Sequence, residues 1–157
     1  KKAVDVDDQC IFMVECTNGA FGSIEATRNA WGRNNYITFE IHGTEGSIFF
    51  NYERRDELQV CFAGDAADRR GFRTVYTGPN HPYGSGLWPI PALGIGYTET
   101  KIIECYDFFR SLQEDTEPVP NFRDGYAVEL ISDAILKSAQ THEWTDVKDL
   151  CADSDPC

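Results

Sequence analysis

Apolar residues in the first half of the chain recur with a period of two, the mark of half-buried strands. Residues 9–16 (QCIFMVEC) put Cys10, Phe12 and Val14 on one face and Ile11 and Met13 on the other. Asn18-Gly19 then gives a strong hairpin signal. Residues 20–28 return with Phe21, Ile24 and Ala26. Residues 36–42 alternate cleanly, with Ile37, Phe39 and Ile41 opposed to Tyr36, Thr38, Glu40 and His42. Beyond the turn Gly43-Thr44-Glu45-Gly46, residues 47–52 (SIFFNY), 57–62 (ELQVCF) and 72–77 (FRTVYT) predict three more strands. Short consecutive strands joined by tight turns imply an antiparallel meander.

The period changes to that of a helix in the second half. Ile102, Ile103, Tyr106, Phe109 and Leu112 predict a helix over 98–114, ended by Pro118 and Pro120. Ala127, Leu130, Ile131, Ala134, Ile135 and Ser138 predict a second over 124–141, with Asp124 as its N-cap. Residues 143–147 (EWTDV) read as a short final strand, and the acidic tail from Asp149 as frayed. Strands first and helices after predict an α+β fold: an open, mainly antiparallel sheet of about six strands with two long helices on one face. Residues 10–16 and 48–52 carry apolar groups on both faces. The second face is therefore expected to need a cover, from a partner subunit or a domain outside the chain.

Residues 78–96 break both patterns. This stretch holds four of the seven prolines and five of the 13 glycines, together with His81, Tyr83, Trp88 and Ile90. A long loop in a compact domain is usually functional or disordered, and the aromatics argue against disorder.

Composition narrows the function. The chain's 157 residues suit a single domain over 1–157 with a core of its own. Its 26 acids against 14 bases leave a net charge of -12. Nucleic acid and anionic membrane surfaces are poor partners for such a charge, since both require a basic face. No apolar run approaches the roughly 18 residues of a membrane span, and no signal-peptide pattern opens the chain. It starts at Lys1-Lys2 rather than Met and is read as a piece of a longer protein.

The six cysteines, Cys10, Cys16, Cys61, Cys105, Cys151 and Cys157, form no CxxC pair. They read as reduced thiols of a cytoplasmic protein, because a chain of this size needs no staples. His42, His81 and His142 lack zinc-type spacing, and Asp5, Asp7 and Asp8 lack the glycine and distal Glu of a calcium loop. No metal site is expected.

Residues 26–35 (ATRNAWGRNN) combine Trp31 with Arg28, Arg33 and three amides. Such a set suits a sugar or polyol. The indole covers the C–H side of the ring, and forked donors take its oxygens. The plainer alternative is a polar strand end with Trp31 half-buried. His81 in the long loop could serve in acid–base chemistry, or could simply pack against the loop's aromatics. A stand-alone enzyme acting through His81 lacks an orienting partner for it. Gly94-Ile95-Gly96 is followed by Glu99 and has no βαβ context, so it fails as a dinucleotide motif and reads as a helix entry. There is no P-loop, Gly-x-Ser-x-Gly or HExxH.

Several stretches, in order, resemble the second domain of the Gfo/Idh/MocA family of NAD(P)-dependent oxidoreductases. They are VDVDDQ (4–9), TNGAFGSIEATR (17–28), FEIHGTEGSIFF (39–50), YDFFRSL (106–112) and NFRDGYAVELISDAILKSAQTHEWTDV (121–147). The resemblance covers about residues 4–147. It implies a parent enzyme whose N-terminal Rossmann domain, absent from this chain, binds NAD or NADP. The second domain would supply the substrate-side wall and a subunit interface, giving a homodimer or higher oligomer. The family's catalytic Lys and Asp–His pair fall before these strands, so no catalytic, cofactor or metal residue carries over. Positions that match its substrate wall are Arg28, Trp31 and Arg33, with His81, Tyr83 and Tyr97 from the long loop. The expected function is that of a sugar or polyol dehydrogenase domain, inactive alone. The rival is a non-catalytic small-molecule-binding or dimerisation module on the same sheet.

Overall fold

The computed structural model describes residues 3–147. Cys151, Cys157 and the tail from Asp149 lie outside the described residues. Six strands come first: β1 (Gln9–Glu15), β2 (Phe21–Thr27), β3 (Thr38–His42), β4 (Gly46–Asn51), β5 (Glu57–Phe62) and β6 (Arg73–Tyr76). A 3-10 turn (Tyr52–Arg54) follows β4. The helices are α1 (Gly84–Leu87), α2 (Tyr97–Glu114) and α3 (Phe122–Thr141). All strand pairs are antiparallel, as expected for the α+β class. The ladders form two sheets, β1-β2 and β3-β4-β5-β6, because the turns of residues 28–37 leave β2 paired only with β1. The chain divides into two compact units, one of residues up to Trp31 with those from Thr116 on, the other Gly32–Asp115.

In the first unit, β1 and β2 pair from Gln9 opposite Thr27 to Glu15 opposite Phe21. The hairpin closes over Thr17-Asn18 and Gly19. The Gly19 N–H donates to the Cys16 carbonyl at 2.8 Å, and the Cys16 N–H to the Ala20 carbonyl at 2.8 Å. Gly19 sits at φ 82°, where a Cβ would be strained. The register gathers Cys10, Phe12, Val14, Ile24 and Ala26 on one face.

Helix α3 starts two residues before the predicted Asp124 cap. Asn121 is the N-cap, its Oδ1 accepting from the N–H groups of Arg123 (2.7 Å) and Asp124 (3.3 Å). Asp124 reciprocates, its Oδ2 accepting from the Asn121 N–H at 2.7 Å. The predicted strand over 143–147 does not form. His142 closes the helix at φ 59°, and the Ser138 hydroxyl donates to the Glu143 carbonyl at 2.7 Å. The chain is thus turned back at the helix end, and Trp144 packs by its ring against Phe21, 6.4 Å between centroids.

In the second unit, the register sorts the sheet into unlike faces. Phe39, Ile41, Ile48, Phe50, Leu58, Val60 and Val75 share one face. Thr38, Glu40, His42, Ser47, Phe49, Asn51, Glu57, Gln59, Cys61, Thr74 and Tyr76 share the other. The second face is the more polar, but Phe49, between Glu40 and Gln59, puts an apolar group on it as residues 48–52 predict. Among the described residues the buried hydrophobics are Val60, in β5, and Trp88. Trp88 anchors the long loop, its Nε1–H donating to the Gly94 carbonyl at 2.7 Å. Gly84 is the loop's tightest point, since a Cβ there would run into the Gly78 carbonyl.

Candidate functional site

The six residues singled out in the sequence fall in both units. Arg28 and Trp31 belong to the first, and Arg33, His81, Tyr83 and Tyr97 to the second. No hydrogen bond or ion pair among the described residues joins any two of them.

Arg28 extends the β1-β2 ladder by one bond, its N–H donating to the Asp8 carbonyl at 2.9 Å. Its side chain is exposed. Trp31 is 100% exposed, which does not fit the plainer alternative of a half-buried indole. The next residue, Gly32, sits at φ 93°. A large aromatic wholly in water is uncommon unless something else covers it.

Arg33 is held on two sides. Its Nη1 donates to Glu53 Oε2 at 3.3 Å, and its guanidinium carbon lies 3.8 Å over the centre of the Tyr36 ring. The other Glu53 oxygen accepts from the Asn34 N–H at 2.9 Å. Neither Glu53 nor Tyr36 stood out in the sequence as a site residue. Glu53 lies in a 3-10 turn about 20 residues downstream of Arg33, and nothing in the spacing announces the pairing.

The long loop carries the other three. His81 Nδ1 accepts from the Gly78 N–H at 3.1 Å, which leaves Nε2 as the ring nitrogen that carries the proton. His81 therefore presents an N–H donor to solvent, and no carboxylate orients it among the described residues. The Tyr83 hydroxyl donates to Asp107 Oδ2 at 2.8 Å. That bond to a carboxylate, with partial desolvation, raises the phenol above its ordinary value. Tyr83 also meets Tyr106 edge-on, 6.2 Å between centroids. Both rings line an open groove of about 560 Å³ with Pro82, Ser85, Leu87 and Ile102. Tyr97 opens α2, exposed, with the Lys101 ammonium 5.5 Å from its ring centre.

Neither long-helix start is built to favour an anion, since each carries a carboxylate. Anion binding at a helix N-terminus needs free N–H groups there. At α2 the Gly96 N–H is taken by the Glu99 carboxylate at 2.7 Å, and at α3 Asn121 and Asp124 cap each other. Each helix start holds its own carboxylate, which repels a phosphate. Gly94-Ile95-Gly96 is the entry to α2. Among the described residues no group of His, Cys, Asp and Glu could hold a metal ion.

The fold and these motifs define a class, the C-terminal alpha/beta domain of an oxidoreductase family. Residues 1–147 match the family model described as "Oxidoreductase family, C-terminal alpha/beta domain", and the chain belongs to this Gfo/Idh/MocA family. Levoglucosan dehydrogenase of Pseudarthrobacter phenanthrenivorans is 69% identical over 152 residues, 97% of this chain and 39% of that protein. The solved structure of levoglucosan dehydrogenase in complex with NADH and levoglucosan matches with a TM-score of 0.92 at 69% identity, over 96% of this chain and 41% of that one. An oxidoreductase domain protein from Kribbella flavida matches at 0.89 with 34% identity, over 94% of this chain and 38% of that one. The chain thus spans about two fifths of the length of the relatives it matches.

Proposed function

We propose that the chain is the substrate-side domain of an NAD-dependent dehydrogenase that oxidises levoglucosan or a closely related sugar. The observation that carries this reading is the 69% identity to levoglucosan dehydrogenase across 97% of the chain. The chemistry of the exposed side chains supports it. Arg28 and Arg33 offer forked donors to hydroxyl oxygens, and His81 an Nε2–H. Trp31 offers a flat apolar plane to the C–H face of a pyranose. Tyr83 has its proton committed to Asp107, so its oxygen serves as an acceptor. Tyr97 completes the set as an exposed phenol. NAD is the cofactor of the parent enzyme, seated outside the residues described.

We also read the parent as a cytoplasmic homo-oligomer. The described thiols Cys10, Cys16, Cys61 and Cys105 are free. Ile11, Met13 and Phe21 form an exposed apolar row on one face of β1-β2, the kind of surface that a partner covers. No helix among the described residues is long and apolar enough to cross a membrane.

The test is a substrate panel with the parent enzyme, following NADH at 340 nm. Levoglucosan with NAD should show the highest kcat/KM, by about tenfold or more over glucose and myo-inositol, because a site built for one set of hydroxyls rejects another. Absence of turnover on every sugar and polyol, with a folded protein, would remove the reading.

A further inference from the structure

We propose that Glu53 is a positioning residue that sets the donors of Arg33 toward the substrate. The inference rests on the reading of Arg33 as a substrate contact and adds the group that aims it. An exposed arginine samples many rotamers, and a binding site that must order it loses affinity accordingly. Here the ordering is done beforehand. The two oxygens of one carboxylate take separate partners, Arg33 Nη1 at 3.3 Å and the Asn34 backbone N–H at 2.9 Å. Side chain and loop backbone are therefore fixed by the same group.

Glu53 is itself held. Its own N–H donates to Asn51 Oδ1 at 2.9 Å, and the next bond along ties the Tyr52 N–H to the Ile37 carbonyl at 2.8 Å. The 3-10 turn and the loop of residues 33–37 are thereby joined at three points. Tyr36 supplies the third constraint. The guanidinium carbon lies 3.8 Å over its ring, a cation–π contact that restricts the motion of the side chain. The Glu53 side chain is 25% exposed and that of Arg33 49%, so the carboxylate is the more sheltered of the two. One N–H of the guanidinium is used by Glu53. The others have no protein partner among the described residues, and the side chain is 49% exposed, so they are open to a ligand. An isolated surface ion pair would contribute little to stability. The value of this one lies in orientation.

The experiment is a double-mutant cycle in the parent enzyme, using the best substrate of the panel above. Arg33→Ala should raise KM for the sugar by about one to two decades. Glu53→Ala should raise it by about three- to tenfold, with KM for NAD unchanged, as expected when an ordering group rather than a contact is lost. Glu53→Gln keeps the acceptor for Asn34 and should fall between wild type and Glu53→Ala; it also serves if the alanine variant folds poorly. Glu53→Ala added to Arg33→Ala should cost nothing further, since Glu53 acts through Arg33. If Arg33→Ala impairs sugar binding while both Glu53 variants leave KM unchanged, the positioning role is overturned and the substrate reading stands. Additive effects, or a rise in KM for NAD equal to that for the sugar, also overturn it. If Arg33→Ala leaves KM at the wild-type value, the substrate reading of Arg33 itself falls.

Discussion

The Tyr83 hydroxyl donates to Asp107 Oδ2 at 2.8 Å, and this bond ties the start of the long loop to the middle of α2. Tyr83 makes it from φ 63°, a left-handed conformation that costs a non-glycine residue about 1–2 kcal/mol. The partner's other oxygen, Asp107 Oδ1, is buried without a hydrogen-bond partner. A loop rich in proline and glycine is thus tied to α2 through one side chain.

The bond has a pH signature. The carboxylate beside Tyr83 raises its phenol above 10. A raised folded value means that the bond's contribution is complete below pH 10 and is lost as pH rises through the folded value. In difference ultraviolet titrations against Tyr83→Phe, the Tyr83 phenolate should appear above pH 10. Asp107→Asn should bring it back to about 10, the ordinary tyrosine value. A Tyr83 that titrates at its ordinary value with Asp107 present would show that the bond does not persist in solution.

Gly84 should tolerate no side chain. A Cβ there meets the Gly78 carbonyl and the Pro79 backbone, which cannot swing aside. Gly84→Ala should destabilise by about 1–3 kcal/mol, the usual range for overpacking. Trp88, seated by the same loop, should become accessible to acrylamide quenching. Gly86→Ala is the control, because a Cβ at Gly86 meets open space. Equal melting temperatures for the two variants would show that the loop is looser than its packing.

The strands were legible because alternation marks them directly, and each observed strand lies within two residues of its predicted bounds. The N-cap of α3 lies three residues before the predicted Asp124, because Asn121 and Asp124 form a reciprocal box whose two members carry similar capping chemistry. Residues 143–147 have strand-like composition, but β propensity is realised only against a neighbouring strand, and the turn at His142 leaves them without one. Residue types suggested Arg28, Trp31 and Arg33. Nothing in spacing could reveal Glu53, because its contacts with Arg33 and Asn34 are made by the return of the chain after β3 and β4.

The chain alone should bind no nicotinamide nucleotide. Each long-helix start carries a carboxylate of its own, Glu99 at α2 and Asp124 at α3, and a negative charge there repels a pyrophosphate. Calorimetric titration with NADH and NADPH should give only heats of dilution. Saturable binding at micromolar concentration would place a nucleotide site on these residues and remove the argument from the caps.

Arg28→Ala and Trp31→Ala in the parent enzyme should separate binding from stability. Trp31 is fully exposed, and the Arg28 side chain is exposed with its backbone alone in the ladder. Surface substitutions of this kind usually cost under about 0.5 kcal/mol, so melting temperatures should hold. Sugar binding should not. Loss of a charge-assisted hydrogen bond from Arg28 corresponds to about 1.5–3 kcal/mol, or about one to two decades in kcat/KM. Loss of the indole removes the plane that covers the sugar's C–H face. Trp31→Phe should recover part of the activity, because a smaller ring keeps some of that plane, whereas Arg28→Lys should recover less, because an ammonium cannot reproduce the guanidinium's fork. If both alanine variants melt several degrees lower with unaltered kinetics, these side chains serve the fold, and the sugar is held elsewhere.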